Sequence, residues 1–272
     1  MISKKSEGFR NLRLRVLAGS VGIILLLGAL FLGDAPFALV IALVAGLALN
    51  EFYGLFRARH YRPNEVLGLS AGVAFPVAAY VFGLAGLPVV AFASVVAAFC
   101  WYVAFSQTNF ADMAITVAGS FYVGLLLSFL VLARSLDVGV WLVLLILVAT
   151  WVNDTAAYFV GVALGRSRLA PRVSPGKTWE GTIAGILAAG VVLAALAFFP
   201  YLDLVERTIL GVVVAAAGVA GDLAESRLKR ELDVKDSGKA IPGHGGFLDR
   251  FDSLIFAAGT GYYLLTALFK LG

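Results

Sequence analysis

Runs of about 20 apolar residues, each long enough to cross the hydrocarbon core of a bilayer as a helix, recur along this chain. Nine can be placed, at approximately residues 16 to 33, 35 to 53, 66 to 83, 87 to 105, 113 to 133, 138 to 162, 181 to 199, 208 to 225 and 254 to 270. In lipid every backbone N–H and C=O must find its partner inside the segment, so runs of this length specify helices. The expected fold is therefore all-α and polytopic. Composition agrees: 61% of the 272 residues are hydrophobic and 14% charged, against about half and about a quarter in a soluble domain. A soluble α/β protein of this composition would expose apolar patches large enough to aggregate. Small residues recur within the runs, as at Gly181, Gly185 and Gly190, and allow close helix approach where no hydrophobic effect drives association.

Charge placement sets the expected topology. With nine alternating spans, 18 of the 21 Lys and Arg residues fall on one side: the N-terminus, the loop after the second span, the 163–180 loop and the 226–253 loop. The positive-inside rule puts these in the cytoplasm and the C-terminus outside. The net charge of +4 thus reads as a membrane-surface signal, and no nucleic-acid partner is expected. The lone Cys100 excludes an intramolecular disulfide framework. No cleavable signal peptide is expected, because the first apolar run follows a long basic start without a small-residue cleavage site. The first five spans carry almost no ionisable groups, whereas the later ones end in polar clusters. The chain accordingly divides into a scaffold of five helices over 1–137 and a catalytic region of four helices over 138–272.

Two clusters carry the chemistry. The first is SRLKRELDVKDSGKAIPGHGGFLDRFD, from Ser226 to Asp252. Its PGHGG segment offers peptide N–H groups for an anion-binding concavity, or a flexible turn. Asp222 and Glu225, three apart, share a helical face at the end of an apolar span. An ionisable group at that depth is functional by default, and a carboxylate without a base in its own span calls for a cation. Asp249 and Asp252 repeat the spacing at the start of the last span, where they either join a metal site or cap the helix. Hard oxygen ligands of this kind suit Mg2+ held jointly with phosphates. The second cluster, Asn153 to Gly181, contains Asp154, four bases and the run SPGKT. Ser174, Lys177 and Thr178 read as a phosphate grip, with Glu180 heading the next helix. Arg166, Arg168 and Arg172 read better as topology determinants facing anionic lipid. GKT ends like a nucleotide-binding P-loop, but position 171 is Pro where the first glycine is required, and no strand is expected before it.

The residues from Ser226 to Asp252 resemble the signature of the phosphatidate cytidylyltransferases, also called CDP-diglyceride synthases. The matching positions are Ser226, Leu228, Lys229, Arg230, Lys235, Asp236, Gly238, Ile241, Pro242, His244, Gly245, Gly246, Phe247, Asp249, Arg250, Phe251 and Asp252. The upstream stretch is similar as well, at Asp154, Tyr158, Gly161, Gly165, Ser174, Lys177, Thr178, Glu180 and Gly181 among others. Family members commonly carry Lys where this chain has Arg166 and Gly176, so Lys177 stands without a paired lysine. The N-terminal half matches in character only.

The resemblance implies transfer of CMP from CTP to phosphatidic acid, with release of pyrophosphate, by a homodimeric enzyme of the inner membrane working among membrane lipids. It also implies a two-metal centre of Mg2+ with a second metal or a monovalent cation. Asp222 and Asp249, with Asp252, are the expected metal ligands. Lys235, Asp236 and His244 join Asp222 and Asp249 as catalytic candidates, His244 serving either to protonate the leaving group or as a structural hydrogen-bonding residue. Ser174, Lys177, Thr178, Ser226, Lys229, Arg230, Gly245, Gly246 and Arg250 are expected to bind substrate. The competing readings are an ion-coupled transporter using Asp154, Asp222 and Glu225, and another CTP-dependent lipid enzyme such as a prenol kinase.

Overall fold

The computed structural model describes residues 19–196, 199–238 and 245–271. The basic N-terminal residues, from Lys4 to Arg15, lie outside this set. The described chain is helical apart from one short hairpin. It forms two compact units, one built from residues up to Leu125 with Val234–Arg250, the other from Leu126–Asp233 with the chain from Phe251.

Helix α1 is described over Gly19–Leu32, and the first unit continues with α2 (Asp34–Arg57), α3 (Glu65–Phe82), α4 (Gly86–Ala104) and α5 (Phe110–Gly119). A π-helical turn at Ser120–Leu125 follows α5. Buried Phe37, Ile41, Ala45, Leu49 and Phe52 line one side of α2, at the three- and four-residue intervals of a helical face. Asn64 caps α3 by accepting the Leu67 N–H at 3.0 Å, and Asn109 caps α5 by accepting the Asp112 N–H at 2.8 Å. Polar groups pin the 58–64 loop to α5: the Arg62 N–H donates to Asp112 Oδ1 at 2.7 Å, and the Asn64 N–H to Thr116 Oγ1 at 2.8 Å. Gly72 and Gly124 bring α3 and the π turn into backbone contact, since a Cβ on Gly124 would fall on the Gly72 main chain.

The second unit contains α6 (Leu126–Arg134), α7 (Gly139–Leu164), β1 (Arg168–Ala170), β2 (Ser174–Thr178), α8 (Trp179–Ala195), α9 (Leu204–Glu231) and most of α10 (Leu248–Tyr263). The strands pair antiparallel, Arg168 opposite Thr178 and Ala170 opposite Ser174. The expectation that no strand precedes SPGKT is thereby corrected: β1 precedes it, and SPGKT is itself β2. Strands of three and five residues are too short for alternation to reveal them. The segment is still no P-loop, because Lys177 sits in a hairpin strand and not in a loop wrapped by a helix N-terminus. Glycines set the helix spacing here too, as a Cβ on Gly185 of α8 would lie 2.7 Å from both Asn153 oxygens of α7.

Among the described residues, six helical stretches are long and apolar enough to cross a membrane: Asp34–Arg57, Glu65–Ala104, Phe110–Arg134, Gly139–Leu164, Leu204–Glu231 and Leu248–Leu268. Glu65–Ala104 runs through a single 3-10 turn at Gly83–Ala85 and takes in both the third and the fourth expected runs. Gly19–Leu32 and Trp179–Ala195 are shorter apolar helices. The chain is a multi-pass, all-α membrane protein in architecture. One boundary moves appreciably: α9 continues to Glu231, so Ser226–Arg230, expected in a loop, is helical. Hydropathy ends at residue 225, but Arg, Leu, Lys and Glu are good helix formers and carry the helix further.

Candidate active site

The second unit contains a cavity of about 670 Å³, bounded by the later turns of α7, the hairpin, the start of α8, and α9. Asp154 and Tyr158 face it from α7, Arg168, Ser174 and Lys177 from the hairpin, and Asp222 from α9. The hairpin brings Lys177 to Asp222: Nζ lies 2.6 Å from Oδ2, with both side chains about one-quarter exposed. Asp222 was expected to want a cation because its own span offers none. A basic partner lies outside that span, in β2, 45 residues upstream. Ser226, one turn along α9, donates from Oγ to Asp222 Oδ1 at 3.2 Å and so fixes the carboxylate's rotation. Asp154 accepts a hydrogen bond from Asn153 Nδ2 at 3.1 Å, and its charged neighbours are Asp222 and Lys177. The Asn153 Oδ1 is buried with no hydrogen-bonding partner among the described residues.

Thr178 ends β2 and caps α8, its Oγ1 accepting the Gly181 N–H at 3.2 Å. Its hydroxyl therefore has a structural role besides facing the cavity. Glu180, ahead of the apolar part of α8, accepts from the Arg166 and Ser167 N–H groups at 3.2 Å. These amides, with its own at the helix start, hold its carboxyl below the ordinary glutamate range. The expected phosphate-binding bases of α9 are engaged as well. Lys229 is buried and sits 3.2 Å from Oε1 of fully buried Glu225, and Arg230 Nε donates to the Val173 carbonyl at 3.1 Å. The charged neighbours of Asp252 are Asp222, Glu225 and Lys229.

Asp249 belongs to the first unit, and its carboxylate accepts the Ser237 N–H at 3.0 Å and the Gly246 N–H at 2.8 Å. Gly245 adopts φ of 79°, and a Cβ there would meet Asp249 Oδ2 at 2.7 Å. Only glycine satisfies both constraints. Lys235, Asp236 and Arg250 are exposed on the same unit. His244 lies outside the described residues, as do Ile241 and Pro242.

The oxygen donors of the cavity suit a hard divalent ion. Among the described residues no three His, Cys, Asp or Glu side chains form an all-protein cage. Mg2+ seldom uses one: it takes one or two carboxylates and completes its shell with water and substrate phosphates. Asp222 and Asp154 fit that pattern. Sequence reasoning noted Asp154 as a buried acid without placing it in the site, and gave Arg168 to the membrane surface. The signal for Asp154 was its position, a carboxylate in an apolar run that also supplies Tyr158 and Gly161.

The sequence profile of the cytidylyltransferase family matches residues 13–268. The chain belongs to that family. It is 32% identical over 271 residues to the phosphatidate cytidylyltransferase of Bacillus subtilis (strain 168), covering 96% of this chain and 99% of the relative. Identity to the Synechocystis sp. enzyme of the same name is 33% over 294 residues, covering 93% of this chain and 96% of that protein. The Thermotoga maritima phosphatidate cytidylyltransferase is 44% identical over a shorter stretch of 156 residues, 54% of this chain and 57% of the relative. This member of the family is therefore a nucleotidyltransferase.

Proposed function

We propose that the chain transfers CMP from CTP to phosphatidic acid, giving CDP-diacylglycerol and pyrophosphate for phospholipid synthesis. The observation that carries this reading is the Lys177–Asp222 pair in a cavity also faced by Asp154, Arg168 and Ser174. Relatives that match nearly the whole chain carry the name phosphatidate cytidylyltransferase, which supports the choice of lipid substrate.

In this reading an oxygen of the phosphatidic acid phosphate attacks the α-phosphorus of CTP. The bond from that phosphorus to the oxygen bridging to the β-phosphate breaks, and the electron pair leaves with pyrophosphate. A phosphomonoester has its second pKa at about 6, so the attacking oxygen is already anionic at neutral pH. The barrier is repulsion between two polyanions, and catalysis consists mainly of neutralisation and positioning. Lys177 and Arg168 supply fixed positive charge, Ser174 donates a hydrogen bond to phosphate, and Ser226 keeps Asp222 oriented. Asp222 and Asp154, with Asp249 and Asp252 as the resemblance implies, would hold Mg2+, which when bound supplies further charge neutralisation on the phosphate oxygens. A second metal or monovalent cation belongs to the same proposal.

The finer topology belongs to it as well: nine spans, a cytoplasmic N-terminus, a site facing the cytoplasm of the inner membrane, and a homodimer. The bias of 18 of 21 basic residues to one side supports the orientation. The transporter reading is disfavoured because Asp222 and Asp154 are joined by hairpin bases at a cavity suited to phosphates. The decisive assay mixes CTP labelled at the α-phosphate with phosphatidic acid in detergent micelles and separates the products by thin-layer chromatography. Label should enter the lipid together with pyrophosphate release, and Asp249→Asn should stop both. Transfer of γ-label instead would indicate a lipid kinase, and no turnover at all would reject the enzymatic reading.

A further inference from the structure

The N-terminal half was expected to be scaffold, yet α2 carries a carboxylate within its apolar run, Glu51. A charge at that depth is costly and calls for a stated purpose. Glu51 Oε2 accepts the Ser237 hydroxyl at 3.1 Å and the Leu248 N–H at 3.0 Å. One carboxylate oxygen thus ties both Ser237 and Leu248 to α2. Both flanking glycines are built around this contact. A Cβ on Gly238 would strike Glu51 Oε1, and one on Gly246 would strike Glu51 Oε2 and Ser237 Oγ. Ser237 is shared between two acids, giving its hydroxyl to Glu51 and its N–H to Asp249. The Gly246 N–H completes the hold on Asp249 at 2.8 Å. The chain of contacts thus runs from Glu51 through Ser237 and the Gly246 main chain to the Asp249 carboxylate.

We propose that Glu51 is a positioning residue: from an N-terminal helix without signature motifs, it fixes Ser237 and Leu248 and thereby the orientation of Asp249. Both hydrogen bonds converge on one carboxylate oxygen, and the main-chain donor at Leu248 leaves little freedom at the start of α10. The functional part of this inference rests on the proposed CMP transfer; the structural part does not.

The test uses full-length protein in detergent with Glu51→Ala, Glu51→Gln and Ser237→Ala, read in two independent ways. The first is CMP transfer at varied CTP. Loss of groups that orient a site residue typically costs about 10–100-fold, so Glu51→Ala should lower kcat/KM for CTP by about that factor. Glu51→Gln, whose amide oxygen can still accept from Leu248 N–H and Ser237 Oγ, should recover most of it. A merely structural role would lower the active fraction and leave KM for CTP unchanged. The second readout is tryptic cleavage after exposed Lys235, which needs no activity. It should accelerate by about tenfold in Glu51→Ala and less in Ser237→Ala, as expected when an anchored segment is released to local opening. If the parent protein shows no CMP transfer, the reaction assignment fails and proteolysis alone judges the anchor. Cleavage and CTP kinetics within about twofold of the parent in folded Glu51→Ala would overturn the proposal. Should Glu51→Ala not fold, Ser237→Ala decides by the same two measurements.

Discussion

Lys229 separates two accounts of the same residue, because family resemblance makes it a phosphate ligand while the structure pairs it with a buried acid. Its Nζ lies 3.2 Å from Glu225 Oε1, in a side chain with no exposure at all. At an effective dielectric of about 20, charges at this distance attract by roughly 5 kcal/mol. Desolvation offsets much of that, but the offset has already been incurred in the folded state. Removing one partner of a buried pair therefore costs about 3–5 kcal/mol, whereas replacing both with apolar groups is often neutral. Lys229→Met should lower the thermal unfolding midpoint in detergent by on the order of 10 °C, at a few degrees per kcal/mol for a chain of this size. The double variant Lys229→Met with Glu225→Leu should recover most of the loss. Tryptophan fluorescence of the purified protein reads both. A single variant as stable as the parent, with a raised KM for CTP, would refute the pairing and return Lys229 to the phosphate-binding set.

Four further outcomes follow from the geometry. Lys177→Gln should reduce CMP transfer by roughly two orders of magnitude, as loss of a fixed phosphate-neutralising charge does. Because the Lys177–Asp222 pair is partly exposed, the unfolding midpoint should shift by no more than about 1 kcal/mol implies. Thr178→Ala removes the cap on the Gly181 N–H and should cost about 1 kcal/mol by thermal unfolding, with Thr178→Ser restoring most of it. Gly185→Val, whose Cβ meets both Asn153 oxygens at 2.7 Å, should fail to yield monodisperse protein by size exclusion. Gly176→Ala, with nothing within 4 Å, should fold normally.

Much of this molecule can be read along the chain, because the bilayer makes local demands. A run of 20 apolar residues must be helical whatever its neighbours, so the helices containing residues 35–53, 66–83 and 138–162 were legible from hydropathy. The same holds for Asp249 and Asp252, whose spacing and position before an apolar run put them in the opening turns of α10. What hydropathy missed are features it does not weigh. The helix formers after residue 225 extend α9 to Glu231, and the short strands around SPGKT depend on pairing with each other and not on composition.

The sequence by itself determined the fold class, the membrane setting and the family, since each rests on local composition or on residues close together in the chain. Only the tertiary structure decided which charges meet. Lys177 reaches Asp222 because a hairpin folds back onto α9, Lys229 turns inward to Glu225, and Glu51 finds Ser237 across 186 residues. A charge in an apolar setting must find a partner or leave, but nothing in its own segment says which. That choice belongs to packing, which sets the partner of each buried charge.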